Sequence, residues 1–351
     1  MFKYAILLNP GHNRVYFDAS KKLALVEFKV ASEILSKEVL IFDIEEIFGI
    51  DYLVFETNDE LMEKDMILLS RLSFTYAIFR IFKIEDDVHL KPIYKHSSYY
   101  FNDDISMILK YSGKTNELFT KFMINIAFMV YSKDKNLEEP LLLFDPVCGK
   151  GTSLFEGLLL GMSSFGIDIN SKYIHDSYIY FKKYLETKKY KHSVSIEKFT
   201  DPINKFRSNR IKFQLAKNKE DKKLKNILSL QLISADSRFA NSFFKKDTFH
   251  IIVGDLPYGV QHGSKIGNDE AFTRNPKEFL NNCLPAWIRV LKPGGVLLLS
   301  WNSFVLRRNF MENILKDNGL EVLMNEDKHA FEHRVDQAIN RDVVISIKPN
   351  K

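Results

Sequence analysis

The stretch Leu141 to Asn170, LLLFDPVCGKGTSLFEGLLLGMSSFGIDIN, constrains this chain more than any other part of it. It reads as strand, glycine turn, helix, strand, a unit at home in a parallel sheet with helices packed against it. The alternation continues to the end of the chain. The pattern predicts strands at 141–145, 164–169, 230–234, 250–255 and 295–301, and helices at about 152–162, 171–189, 237–244, 275–291 and 304–317. Apolar runs such as LLLF, HIIV and GVLLLS suit parallel strands covered on both faces. The expected fold class is therefore α/β, a Rossmann-like doubly wound sheet. The last segments, GLEVLMNED and RDVVISIKP, have no helix between them and read as an antiparallel pair.

In an open parallel sheet the first strand-to-helix turn makes the closest approach to a ligand, and DPVCGKGT stands at that place. Gly149 and Gly151 let the backbone come near, and the start of the following helix offers free N–H groups and partial positive charge. Nineteen residues after Gly149, Asp168 ends the second strand, placed to accept hydrogen bonds from two ribose hydroxyls. Three nucleoside ligands compete. A dinucleotide fingerprint, G-x-G-x-x-G, needs a third glycine where this chain has Leu154, so close helix packing of that type is expected to be absent. A phosphate loop, G-x-x-x-x-G-K-[ST], is matched neither by CGKGTS nor by YSGKTN, since Ile108 stands five residues before Gly113. S-adenosylmethionine remains. Asp145 offers an acidic group for its ammonium, Pro146, Cys148, Gly149, Gly151 and Thr152 form the turn around it, Ile169 follows Asp168, and Asp236 with Ser237, just past the third strand, is placed for the adenine amino group.

A second piece, DLPYG, Asp255 to Gly259, ends the fourth predicted strand beside the glycine turn. Here the chain resembles the amino-methyltransferases, whose motif is [Asn/Asp]-[Pro/Leu]-Pro-[Tyr/Phe/Trp]. An exocyclic amine is a poor nucleophile because its lone pair is delocalised into the ring. Asp255 and the carbonyl of Leu256 would accept its two N–H bonds and turn the lone pair toward the methyl group, which is catalysis by positioning. Pro257 stiffens the turn, and Tyr258 offers a stacking face for a base taken out of its helix or loop. Such stacking is worth about 1 to 3 kcal/mol per base. Guanine presents two adjacent donors that one carboxylate accepts, whereas adenine presents a donor beside an acceptor; Asp255 favours guanine, although adenine enzymes also carry Asp there.

The resemblance extends further. KYSGKTNELFTKFMINIAF, DPVCGKGTSLFEGLLLGMSSFGIDIN, DLPYGVQHG and the closing FEHRVDQAINRDVV together look like the tRNA guanosine-N2 methyltransferases associated with THUMP RNA-binding domains, over residues 105–348. It implies a class I, seven-stranded methyltransferase domain over 101–351, S-adenosylmethionine as cofactor and RNA, most often tRNA, as partner. In that family the loop equivalent to Lys114, Thr115 and Asn116 lies near the cofactor, and Phe119 lines its adenine. Residues 1–100 read as a small α+β module, with strands at Tyr4–Leu8, Val39–Phe42 and Tyr52–Phe55 and a helical pattern over Asn58–Leu72, and stand as a candidate reduced RNA-binding domain. They are shorter than the family's usual N-terminal portion, and a complete THUMP domain is not matched there. An amphipathic helix is expected over about Asn116–Tyr131, where Leu118, Met123, Ile124 and Ala127 recur at helical spacing.

Charge adds a second clue to the partner. Phe181–Leu228 holds thirteen Lys and two Arg against three Glu and two Asp, a net +10 in a chain whose total is +5. Tyr and Phe interleave with these cations, as on a nucleic-acid-facing surface; the competing reading is a solvated helical hairpin. No apolar run reaches the length of a membrane span, and two cysteines, Cys148 and Cys283, make neither metal-ligand spacing nor a disulfide framework. Both features point to the cytoplasm, with no membrane and no metal.

Other residues have two readings each. Cys148 suggests the nucleophile of pyrimidine carbon-5 methylation, but a cysteine in a cofactor turn more often packs. Gln261, His262 and Lys265 stand in a polar loop, and His333 and Arg334 contact either RNA phosphate or local acids. Two alternatives stay open: an N6-adenine methyltransferase on DNA or RNA, and a non-catalytic RNA-binding protein on a retired fold.

Overall fold

The computed structural model describes residues 1–9, 14–85, 87–93, 100–106, 116–133, 135, 140–201, 206–223, 227–257, 276–323 and 329–350. The N-terminal part contains β1 (Phe2–Leu8), α1 (Arg14–Ser32), β2 (Val39–Ile47), β3 (Ile50–Thr57), α2 (Glu63–Arg71), β4 (Thr75–Ile84) and β5 (Asp87–Pro92). Its sheet is wholly antiparallel in the order β2-β3-β1-β4-β5, the split βαβ arrangement with one extra edge strand. Tyr4, Ile6 and Leu8 of β1 alternate inward against α1 and α2, together with Leu53 and Phe55 of β3.

Two elements here differ from the sequence reading. Helix α1 was not expected, because Glu27 sits on its apolar stripe of Leu23, Ala24, Phe28 and Ala31 and disguises the period. The helical pattern over Asn58–Leu72 shrinks to α2, whose start is fixed when the N–H of Met62 donates to Asp65 at 2.9 Å.

The second part runs through α3 (Glu117–Ser132), β6 (Leu142–Asp145), α4 (Thr152–Leu159), β7 (Ser163–Asp168), α5 (Ser171–Thr187), β8 (Lys191–Asp201), β9 (Phe206–Ala216), α6 (Lys219–Lys223), β10 (Leu228–Ser234) and α7 (Ala240–Phe243). It continues with β11 (Phe249–Asp255), α8 (Pro276–Val290), β12 (Leu291–Asn302), α9 (Arg308–Asp317), β13 (Glu321–Val322), β14 (His333–Arg334) and β15 (Asn340–Ile347). The sheet order is β13-β15-β12-β11-β6-β7-β10-β9-β8, with β14 beside β15. Strands β10, β7, β6, β11 and β12 are parallel, β15 is antiparallel to β12, and β13 to β15. Numbered by the repeating units, β6 first, the core order is 3-2-1-4-5-7-6. Helices α3, α4 and α5 cover one face, and α7, α8 and α9 the other, so the sheet is doubly wound.

The order reverses between β6 and β11, which opens a crevice beyond their carboxyl ends. Asp145 ends β6 and Asp255 ends β11. Helix α3 packs on this sheet and on α1 at once, so a single apolar cluster joins both sheets.

The sheet has ten strands, the seven of the core with β14 beside β15 and two more, β8 and β9, from the basic block. The helical-hairpin reading of it is overturned. Helix α5 stops at Thr187, and β8 and β9 pair antiparallel to extend the sheet beyond β10. In β8 His192 and Val194, then Phe199 and Asp201, are covered while Ile196 is exposed, so the strand carries no unbroken two-residue period for the sequence to show. The packing expectation also needs correction. Helix α4 does approach the sheet closely, through Gly157, where a Cβ would come within 2.5 Å of Leu143 and of the Ser164 hydroxyl.

Candidate active site

The glycine turn is shaped by the two carboxylates that flank it. Asp145 accepts the Val147 N–H at 2.9 Å through Oδ1 and the Ser153 hydroxyl through Oδ2. Asp168 accepts the Gly149 N–H at 2.8 Å through Oδ2 and the Asn170 N–H at 2.8 Å through Oδ1. Gly149 (φ 53°) and Gly151 (φ 88°) occupy the left-handed region, where a side chain would be strained, and Gly151 stands immediately before α4. The backbone at the turn is thus held before any ligand arrives. Lys150 points away, its Nζ 2.6 Å from Asp176 of α5.

Pro146 and Val147 lie against Gly254, the residue before Asp255, so the turn and the end of β11 are in contact. Asp255 is opposite Ser300 of β12. The Leu256 N–H donates to the Ser300 carbonyl at 2.8 Å, which leaves the Leu256 carbonyl as its remaining backbone polar group. Pro257 follows on the surface. Three carboxylates therefore converge on the crevice. Burial pushes the Asp145 carboxyl up to about 7, and the neighbouring charges of Asp168 and Asp255 push the same way against its two hydrogen bonds. Burial also raises Asp168.

Cys148 is buried, its sulfur packed where a side chain at Gly166 would have to go, and burial together with Asp168 and Asp145 holds its thiol well above the usual range. That is the packing role, not an activated nucleophile. Both cysteines are buried and free. Asp236 caps the turn of 237–239 by accepting the Arg238 N–H at 2.9 Å, and its other oxygen pairs with the Arg238 guanidinium at 2.8 Å. Ser237 is buried beneath it, with its carbonyl accepting the Trp287 indole N–H at 3.1 Å. Ile169 is partly exposed beside Asp168.

Asn116 caps α3 by accepting the Leu118 N–H at 2.8 Å. Phe119, in the first turn of α3, is fully buried, with the Arg341 guanidinium 4.5 Å from its ring centroid and His333 5.0 Å away. Lys114, Thr115, Tyr258, Gln261, His262 and Lys265 lie outside the described residues. The structure brings together Asp145, the glycine turn, Asp168 and Asp255; Asp236 stands past the end of β10, and Phe119 beneath Arg341. Sequence reasoning missed Arg341, whose Nη2 is 3.6 Å from Asp255 Oδ2, although it lies inside the quoted segment FEHRVDQAINRDVV. The Thr152 hydroxyl, part of the turn expected around the cofactor, is buried at the start of α4 with no hydrogen-bond partner among the described residues.

Among the described residues no cluster of three or more His, Cys, Asp or Glu forms a metal site, and no helix is long and apolar enough to cross a membrane.

The family model described as UPF0020, RMKL-like methyltransferase domain, matches residues 126–301, half of the chain. No curated protein matches it. Among solved structures, TrmN from Thermus thermophilus is 14% identical, with 77% of this chain and 59% of that one covered and a TM-score of 0.40; the chain thus spans less than two thirds of that protein. TehB from Haemophilus influenzae is 12% identical over 99% of this chain and 85% of that one, TM-score 0.39. Precorrin-6y C5,15-methyltransferase from Geobacter metallireducens GS-15 is 12% identical over 71% and 97%, TM-score 0.36. The methyltransferase match brings with it the cofactor expected from the turn, S-adenosylmethionine. Strand order and family match agree, and the chain belongs to the UPF0020 family of RMKL-like methyltransferase domains.

Proposed function

We propose that this protein methylates an exocyclic amine of a nucleobase in RNA, the N2 of a guanosine in tRNA. The observation that carries the reading is the contact between the glycine turn and Gly254, which sets Asp255 beside the cofactor crevice. The residues fit S-adenosylmethionine, since the Thr152 hydroxyl, without a partner among the described residues, and the acid cluster suit a ligand with a carboxylate at one end and two cationic centres. When bound, the cofactor supplies an electrophilic methyl group.

The chain's own residues do the rest. Asp145 accepts the ammonium, Gly149, Gly151 and Thr152 face the carboxylate, and Asp168 takes the ribose, with Ile169 and Asp236 beside the adenine. Asp255 and the Leu256 carbonyl each accept one N–H of the target amine and aim its lone pair, and Pro257 fixes the loop that Tyr258 continues. A cation entering among three carboxylates relieves their mutual repulsion, which adds to its binding energy. For the RNA itself the support is charge. Residues 1–100 hold twelve Lys and Arg against sixteen Asp and Glu, so the basic surface of α5, β8 and β9 is the better nucleic-acid face.

The test is incubation of the protein with labelled S-adenosylmethionine and total tRNA from a strain lacking it, followed by digestion to nucleosides. Label in N2-methylguanosine is expected. Label in N6-methyladenosine would move the substrate to adenine, and an unlabelled tRNA pool would end the tRNA reading.

A further inference from the structure

We propose that Arg341 is a positioning residue, a buried cation that fixes the Asp255 carboxylate from the β12–β15 side of β11, whereas the glycine turn lies on its β6 side. The proposal rests on the reading of Asp255 as the acceptor of the target amine. Arg341 lies on β15 opposite Asn302 of β12, two residues past Ser300, and its side chain reaches back across β12 to bring Nη2 within 3.6 Å of Asp255 Oδ2. Both side chains are nearly buried, 5% and 15% exposed. At 3.6 Å the contact is an ion pair rather than a direct hydrogen bond.

The guanidinium does not hang from a flexible chain. It rests on the Phe119 ring at 4.5 Å, a cation–π contact made stronger by the loss of water. Phe119 is stacked in turn on Phe122 at 5.8 Å and faces His333 at 5.0 Å. His333 lies opposite Arg341 in the strand register, and its Nδ1 meets the Phe331 carbonyl at 3.0 Å. Burial most of all, with Arg341 adding to it against the Phe331 hydrogen bond, pulls the His333 ring down to about 4, so it stands neutral beside the Arg341 cation. Among the described residues, the charged and titratable groups around Asp255 include Asp145 from the end of β6, His333 from β14 and Arg341 from β15; Asp168 of β7 acts on Asp145, and Lys22 of α1 on His333.

These neighbours explain why a positioning cation is needed. Asp145 and Asp168 oppose a third negative charge at the crevice, and Arg341 compensates it. An acceptor that aims an amine must be stationary, because an error of about 1 Å at the reacting centre costs roughly 100-fold. Arg341 takes no part in moving the methyl group or a proton.

Two measurements test this. In the first, Arg341→Ala is expected to lower kcat for methyl transfer to tRNA by about 100-fold while the S-adenosylmethionine Kd stays within about twofold. Millimolar guanidinium should restore the rate, and urea, a neutral molecule of the same shape, should not. Equal rescue by urea, or an unimpaired variant, would overturn the proposal. The second needs no substrate: urea unfolding of Arg341→Gln, Asp255→Asn and the double variant. A coupled pair makes the double variant's unfolding constant depart from the product of the single effects by about tenfold; simple multiplication would sink the proposal whatever the activity. If the wild type methylates no nucleic acid, the proposed function fails and this cycle alone decides the role of Arg341. Should Arg341→Ala not fold, Arg341→Lys and Phe119→Leu carry both measurements, with Lys expected to keep more of the rate than Ala.

Discussion

Glu27 and Asp145 are both buried carboxyl groups pushed up to about 7, with burial the largest cause in each, yet they stand in opposite surroundings. Glu27 lies at the junction between the two sheets. It accepts the Ser73 N–H at 3.1 Å, the Ser73 hydroxyl and the Asn125 amide at 2.7 Å, and that amide also donates to the Arg71 carbonyl at 2.8 Å. Every partner is a donor, and Lys121 adds a favourable charge. Asp145 has two donors and two other carboxylates beside it. The difference teaches how to separate a buried acid that completes a structure from one suited to a cation: the degree of burial is alike, and the sign of the neighbours decides.

The largest expected effect lies on the crevice side. Asp255→Ala should lower the rate of methyl transfer by more than about 100-fold and leave cofactor affinity within about twofold, measured by labelled transfer and calorimetry. A variant as fast as wild type would remove Asp255 from the reaction. Asp145→Ala should weaken S-adenosylmethionine binding by about 10- to 100-fold, the range of a charge-assisted hydrogen bond, with little loss of thermal stability. Glu27→Ala should do the reverse, lowering the unfolding midpoint by several degrees because buried donors at Ser73 and Asn125 lose their acceptor, while cofactor binding is unchanged. If Glu27→Ala impaired binding, or Asp145→Ala unfolded the protein, the contrast between the two sites would collapse.

pH sharpens the same comparison. Both carboxyls titrate higher in the folded chain than in the unfolded one, so between about pH 4 and about 7 the native state holds protons that the unfolded state has released. Stability therefore falls as pH rises through that window. Cofactor affinity should move the other way, rising toward pH 7 as Asp145 ionises. Glu27→Gln should flatten the stability curve and leave the affinity curve alone; Asp145→Asn should flatten both. The smallest effect is expected at the basic block, where Lys189→Glu with Lys191→Glu should weaken RNA binding modestly and reduce the salt slope by about 1 per lost phosphate contact. Lys188 is less suitable, being tied to Asp104.

What could be read from the sequence was local. The turn, its glycines, Asp145, Asp168 and the strand end at Asp255 are each marked by neighbours in the chain: a run of apolar residues, a turn, then a helix. Arg341 meets Asp255 from 86 positions away, and Glu27 meets Asn125 across the junction between sheets. No local period announces such partners. Charge and a broken period hid β8 and β9, since β8 changes the parity of its covered residues between Val194 and Phe199 and its exposed positions are mostly polar.

Helix α3 has a practical consequence for anyone wishing to work with the catalytic half by itself. Phe122, Ile126 and Met129 belong to one packed cluster with Phe28, Leu69 and Leu72 from the first hundred residues. Deleting those residues would strip the cover from a greasy helix and expose the product to clumping during expression. The two parts are best cloned and mutated together, so that α1 and α2 keep their places against α3.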